Sequence, residues 1–428
     1  MRFALVNPNW TFDGSIYFGC REPHLPLEYG YSKALLERAG HEALIIDGQM
    51  AGFSEDQILD LLKEFRPDFT VVTTAPSYLF WRCPPPELAV PKRLIREIRP
   101  VVDTIVVVGP HGSTTPRATL RKLNADVVVL GECEEVLPGL AGPWSSVDSI
   151  CYADNGLPRV QAGPHASDMM ALPPLKWPTA VINAHSHHHH RFDRPFAGAG
   201  AEMETSRGCP YNCTFCAKDN FRDRYRRRPL NVVLAELDQL LSQGVQYVYF
   251  IDEIFLPNRE LLEVLAFRHR HAGLKIGVQT RIDLWSHEML DLLADAGCVS
   301  IEAGVESLTP EGRELLDKKC KLDTDELSAR LIHAKRRMAF VQGNLIETET
   351  DDQETVQLWR ERMREAGVWA NDPVPLFPYP GSPDYTRRWG ATDDLAWERA
   401  HEYYLANYSR FSDIQEHRPL PLAELEYP

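Results

Sequence analysis

Short runs that are apolar at nearly every position alternate along this chain with longer stretches in which apolar residues recur every three or four positions. In the first third the apolar runs fall at 3–6, 42–46, 69–73, 104–108 and 126–130. A strand that is apolar on both faces needs cover on both sides, which is the environment of a parallel sheet wrapped by helices. The pattern predicts an α/β fold that begins with a doubly wound parallel-sheet domain over residues 1–140. In such sheets ligands sit beyond the carboxyl ends of the strands. The residues expected there are Asn7 to Trp10 with Asn9 among them, Thr73, Thr74 and onward to Tyr78, then Gly109, Pro110, His111 and Gly112, and finally Gly131 and Glu132. Glycine, proline and hydroxyl residues at strand exits let the backbone come close to a large flat ligand.

Between 141 and 195 periodicity disappears and Pro, Gly and His accumulate, so this stretch reads as a linker or crossover. It ends in a histidine-rich loop, His185 followed by His187 to His190, whose internal position argues against an expression tag. From residue 202 the pattern resumes, with strand candidates at 202–206, 247–251, 276–280, 299–303, 341–346 and 374–377 separated by helical stretches. Six strand–helix units over 196–384 fit a partial (β/α)6 TIM-like barrel, and such barrels carry their chemistry at the carboxyl ends of the strands. The stretch 385–428, rich in Trp, Tyr and Glu, reads as a small helical cap.

Composition narrows the functional classes. At 428 residues the chain is long enough for two or three domains without disulfide staples. A formal net charge of −15 argues against nucleic acid, since phosphate binding needs clustered Lys and Arg. The one basic run, Arg222 to Arg228, reads as a solvated face or an anion clamp. No segment approaches the ~20 apolar residues of a membrane span, and none resembles a signal peptide. Nine cysteines, an odd number without paired spacing, fit a reducing compartment, so a cytoplasmic location is expected.

Three of those cysteines, Cys209, Cys213 and Cys216, lie within eight residues in the run Cys-Pro-Tyr-Asn-Cys-Thr-Phe-Cys. Gly208 and Pro210 keep the segment irregular, as a loop wrapped around one small group must be. Three thiolates suit a cubane iron–sulfur cluster with one iron left open. Structural zinc closes its site with four ligands, commonly as two separated pairs, and buried inert thiols are the remaining alternative.

This spacing, with an aromatic residue just before the third cysteine, is the signature of the radical S-adenosylmethionine (SAM) superfamily, and the chain is identified as a member. The segments 250–255, 278–283, 304–307 and 377–383 resemble the successive strand-end motifs of its cobalamin-dependent branch, and 27–31, 38–42, 109–112 and 131–132 resemble the cobalamin-binding domain that precedes the barrel there. The resemblance implies a [4Fe-4S] cluster on Cys209, Cys213 and Cys216, SAM and cobalamin. It assigns Arg281 to the methionyl carboxylate, Glu306 and Gln279 to the ribose or amino group, and Phe215 to the adenine. Cobalamin falls to Asn9, Thr74, Tyr78, Pro110, His111, Gly112, Gly131 and Glu132. No Asp-x-His-x-x-Gly run follows the first strand, so no histidine from that motif sits under cobalt. Asn344 and its neighbours depart from the Gly-Leu-Pro pattern usual at the fifth strand.

The implied activity is carbon methylation of a small molecule, free or on a carrier protein, with a heteroaromatic ring among the candidates. The setting would be bacterial specialised metabolism, with an electron donor of flavodoxin or ferredoxin type. Tyr379 and His188 are the candidate proton acceptors should the target be a ring carbon. The alternatives are rearrangement or cyclisation without methyl transfer, and a non-catalytic cobalamin carrier.

Overall fold

The computed structural model describes residues 1–16, 23–77, 81, 83–185, 198–218, 224–408 and 419–427, and the statements below concern these. The chain forms two compact units. The first comprises Met1–Lys176, Phe215–Asp223 and Phe377–Pro428, and the second Trp177–Thr214 and Arg224–Leu376.

The first unit is built on a seven-stranded sheet. Its strands are β1 (Arg2–Asn7), β2 (Glu42–Asp47), β3 (Phe69–Thr73), β4 (Thr104–Val108), β5 (Val127–Val129), β6 (Ile150–Asp154) and β7 (Leu157–Gln161), in the order β2-β1-β3-β4-β5-β6-β7. The first five run parallel, as expected from their apolar faces, and the order reverses between β1 and β3. That reversal opens a crevice at the strand ends, the place where this architecture takes ligands. The core between sheet and helices is aliphatic, with Val6, Ile58, Leu62, Val72, Leu94, Ile105 and Val128 among its members. The helix Glu55–Phe65 starts on a capping box of Ser54 with Gln57.

Two boundaries differ from the sequence expectation. The supposed linker from 141 onward contains β6 and β7, a hairpin that pairs antiparallel onto β5. Its edge strand β7 is exposed or half-buried throughout, so it carries no hydrophobic alternation to read. The turn itself was a usable signal, because Asn155 and Gly156 both adopt positive φ, 51° and 79°, as a two-residue hairpin turn requires. The C-terminal segment, in turn, folds with this first unit from Phe377 onward. Phe377, Tyr385, Trp397, Ala400 and Tyr404 form a cluster with Ile16, while Leu88 N–H donates to Glu426 Oε1 (3.0 Å) and Leu420 N–H to the Gly14 carbonyl (2.8 Å).

The second unit holds β8 (Ala199–Met203), β9 (Ser206–Arg207), β10 (Arg226–Arg227), β11 (Val245–Phe250), β12 (Lys275–Arg281), β13 (Cys298–Glu306), β14 (Phe340–Leu345) and β15 (Trp369–Ala370). Six of them form one all-parallel sheet in the order β15-β14-β13-β12-β11-β8, the sequential winding of a partial barrel, and β9 pairs antiparallel with β10. The last strand lies at 369–370 rather than 374–377, where only Val374 bridges to Ile346. Pro373, Pro375 and Pro378 remove the donors a strand would need there.

Burial alternates along the central strands. In β13, Ala303 and Val305 are fully buried while Glu302, Gly304 and Glu306 are only partly so, and in β14 Gln342 and Asn344 share that second face. A Cβ on Gly343 would meet Leu331 and Trp359 at 3.2 Å, so the odd-numbered face of β14 packs on the helices. The polar face is therefore the one turned away from them.

Candidate functional site

The loop with the three cysteines begins directly after β9, and several buried groups fix where it starts. Asp252, just past β11, accepts from Thr205 N–H (2.7 Å) and from the hydroxyls of Thr205 and Ser206 (both 2.5 Å). Burial raises its carboxyl to about 6 despite these donors. Glu253 Oε2 accepts from Gly208 N–H at 2.8 Å, and Arg207 pairs with Glu204 through a fully buried fork (2.6 Å). At its other side the loop is held by Thr214 N–H donating to the Leu316 carbonyl at 3.0 Å. Glu253 and Asp252 thus serve the loop's backbone.

Arg281 ends β12 and its guanidinium lies 4.0 Å from the centre of the Tyr211 ring, between Cys209 and Cys213. Asp283 accepts from its Nε (3.1 Å) and Nη2 (2.8 Å), and the Lys318 carbonyl accepts from Nη2 as well. Its Nη1 is buried without a partner. Lys318, 1% exposed, donates to Glu306 Oε1 (3.0 Å) and the Gly304 carbonyl (3.1 Å). Burial pushes the Cys213 thiol up, and Lys318 and Arg281 both pull it down again. Gln279 and Arg281, two residues apart on β12, share one face of the sheet. Phe215 is half-buried within the loop.

Lys318 was not foreseen, because it sits in the run Asp317-Lys-Lys-Cys-Lys321, which reads as a solvated charged stretch. Asp283 and Tyr211 were likewise missed as partners of Arg281. Gly304 is needed for a reason only the structure gives: a Cβ there would lie 2.1 Å from Glu306 Oε1.

The expected cobalamin residues of the first unit divide into two groups. At the strand exits, the hydroxyl oxygens of Thr74 and Ser77 are buried without partners. Gly109 (φ 124°) passes so close to Thr74 that a Cβ would meet its Oγ1 at 2.4 Å. Pro110 opens a short helical turn behind Gly109, and Ser113 Oγ bonds both the Gly109 carbonyl (3.1 Å) and Gly131 N–H (2.8 Å), tying two exits together. The second group has protein partners instead. Asn9 is exposed and donates to the Phe53 carbonyl (3.2 Å). Gly112 makes room for Val128, and Gly131 for the backbone of His165. Glu132 accepts from Ser167 N–H at 2.7 Å. His111 lies 4.4 Å from the Trp397 ring with Nε2 against the Pro86 carbonyl, and burial lowers it to about 3, so it is neutral. Tyr78 and His188 lie outside the described residues.

Tyr379 does not suit the role of proton acceptor. Its hydroxyl faces the Pro84 carbonyl at 3.5 Å, and burial holds it protonated, well above the ordinary phenol range.

A parallel-sheet unit with a ligand crevice, joined to a partial barrel whose first strands feed a three-cysteine loop, defines a cobalamin-binding radical SAM protein. The family comparison agrees: residues 21–141 match the B12 binding domain and residues 203–358 match the radical SAM superfamily, so the chain carries both domains. An uncharacterized methyltransferase of Pyrococcus horikoshii is 26% identical over 330 residues, 74% of this chain and 68% of that protein. The anaerobic magnesium-protoporphyrin IX monomethyl ester cyclase of Cereibacter sphaeroides is 26% identical over 393 residues, 87% of this chain but 60% of the cyclase. Among solved structures, the radical SAM methyltransferase TsrM of Kitasatospora setae, with tryptophan substrate and a SAM analogue bound, aligns with a TM-score of 0.69 at 20% identity, covering 90% of this chain and 76% of that one.

The family implies a [4Fe-4S] cluster, SAM and cobalamin, and the residues present fit each. The thiols of Cys209, Cys213 and Cys216 are half-buried. Among the described residues no three His, Cys, Asp or Glu side chains converge on one point as a single ion would require. A cluster differs from a single ion in that its irons each take a separate thiolate. The unpartnered Nη1 of Arg281 fits an anionic ligand. The unpartnered hydroxyls of Thr74 and Ser77, with the close approach at Gly109, fit a large polar-edged ligand over the strand ends.

Proposed function

We propose that this protein is a cobalamin-dependent radical SAM carbon methyltransferase acting on a polar small molecule. The observation that carries the reading is the buried Arg281 guanidinium, set against the cysteine loop with one donor unspent, in a chain that also carries a B12 binding domain. When bound, the three cofactors supply one-electron cleavage of SAM and a transferable methyl group. The chain supplies holding, orientation and exclusion of water. Cys209, Cys213 and Cys216 would hold the cluster, Arg281 the methionyl carboxylate, and Glu306 and Gln279 the ribose or amino group. Phe215 would lie by the adenine, and Thr74, Ser77, Gly109 and Pro110 would meet cobalamin. No general base is assigned among the described residues, and abstraction of hydrogen from an unactivated carbon needs none.

The polar face of the barrel strands supports a substrate that makes hydrogen bonds. Glu302, Gln342 and Asn344 stand on it, with Gln342 Nε2 donating to Asn344 Oδ1 at 2.5 Å. Side chains of this kind can hydrogen-bond a polar substrate, whereas a hydrocarbon would make no use of them. TsrM holds tryptophan, a small polar molecule, in its solved complex. An electron donor of flavodoxin or ferredoxin type and a cytoplasmic setting complete the proposal. No helix among the described residues is long and apolar enough to cross a membrane.

Anaerobically reconstituted enzyme incubated with trideuteromethyl-SAM and polar candidate substrates should transfer label to a substrate carbon. Deoxyadenosine formed with no labelled product would reject methylation. That result would favour the second reading, rearrangement or ring closure, which the 87% coverage by the cyclase supports. The mass of the product separates the two.

A further inference from the structure

The helix Pro310–Leu315 ends in a Schellman turn, with Asp317 N–H donating to the Glu314 carbonyl (2.9 Å) and Lys318 N–H to the Arg313 carbonyl (2.9 Å). Asp317 and Lys319 both hold positive φ, 49° and 56°, and Lys318 lies between them. Glu306, its ion-pair partner, holds φ 71° at a register shift between β13 and β14. The left-handed residue at Asp317 belongs to that helix ending, whereas Lys319 and Glu306 are non-glycine residues in the same sparsely populated region, where strained residues gather at functional sites. Burying an ammonium carries a desolvation cost that one ion pair only partly offsets. The pair is also incomplete as a structural element. An ammonium has three donors, and Lys318 gives one to Glu306 and one to Gly304, while the third has no acceptor among the described residues.

The turn lies against the cysteine loop by two independent bonds. Leu316 accepts from Thr214 N–H, next to Cys213, and the Lys318 carbonyl accepts from Arg281, which stacks on Tyr211. These tethers fix the turn's backbone against the loop, and the bonds to Glu306 and the Gly304 carbonyl hold the buried Lys318 ammonium.

We propose that Lys318 is a positioning residue that sets the reduction potential of the cluster held by Cys209, Cys213 and Cys216, with Glu306 as the opposing charge. The inference rests on the cluster assigned above. A fixed cation stabilises the more negative, reduced cluster, and local net charge is one of the levers on such potentials. Reduction takes up one electron at the cluster, and neither Lys318 nor Glu306 gains or loses a bond in it.

The test is a redox titration of full-length, anaerobically reconstituted protein without SAM, followed by electron paramagnetic resonance. K318M should make reduction roughly tenfold less favourable, a shift of about 59 mV to more negative potential. E306Q should shift it the opposite way, K318R should stay near wild type, and the charge-neutral K318M/E306Q pair should return toward wild type. Melting temperatures that fall while all potentials coincide would show a merely structural pair and overturn the proposal. Should K318M fail to take up a cluster, E306Q decides alone, and an unchanged or more negative potential there overturns it. Wild-type protein that binds no iron and sulfide would instead overturn the function proposed above.

Discussion

Gly304 and Glu306 show how narrowly the site is built at the level of single residues. The Glu306 carboxylate occupies the space where residue 304 would carry a side chain, with Lys318 Nζ 3.3 Å from the same point. Gly304→Ala should therefore push Glu306 out of place and weaken SAM binding at least tenfold, about 1.4 kcal/mol, measured by calorimetry on the reconstituted enzyme. Asp252 makes a pH prediction. Its carboxyl is raised from 3.8 to about 6, so the stability its protonated form contributes is fully present below the unfolded value and is lost as pH rises through about 6. Urea unfolding of wild type against Asp252→Asn should show the difference between them falling by on the order of 3 kcal/mol between about pH 4 and pH 7. The cysteine triplet and Arg281 could be read from sequence because spacing and residue type carry their chemistry. Lys318 could not, since its burial is made by a turn and not by its neighbours in the chain.

At the scale of elements, the strand exits of the first unit are fixed by close backbone contacts. Gly131 holds φ 81°, and a Cβ there would lie 2.3 Å from the His165 carbonyl oxygen, across the bridge that joins residues 131 and 165. Gly131→Ala should cost about 1–3 kcal/mol from overpacking, read as a lower melting temperature. The parallel strands were plain in the sequence because burial on both faces demands continuous apolar runs. The hairpin of β6 and β7 was not, because an exposed edge imposes no such demand, and only its Asn-Gly turn marked it. The strand expected at 374–377 failed for the opposite reason. Its residues are apolar enough, but Pro375 within it, with Pro373 and Pro378 on either side, denies the hydrogen bonds that a ladder needs.

At the scale of the molecule, the chain's last segment completes its first unit. Trp397, 5% exposed, packs on His111 and Phe377, so Trp397→Ala should cost about 3–5 kcal/mol. Hydrogen exchange should then show lost protection in β3, β4 and β5, with the barrel strands β11 to β14 unchanged. The sequence by itself determined the two sheet systems, the three thiolates and the polar strand ends, because periodicity and ligand spacing are local and survive in a linear reading. Tertiary structure alone decided which unit the C-terminal segment joins, why Gly112 and Gly304 must lack side chains, and that a lysine from a charged run is buried beside the cysteine loop. Each of these depends on which distant segments meet, and a buried charge or a missing Cβ takes its meaning from the atoms packed against it.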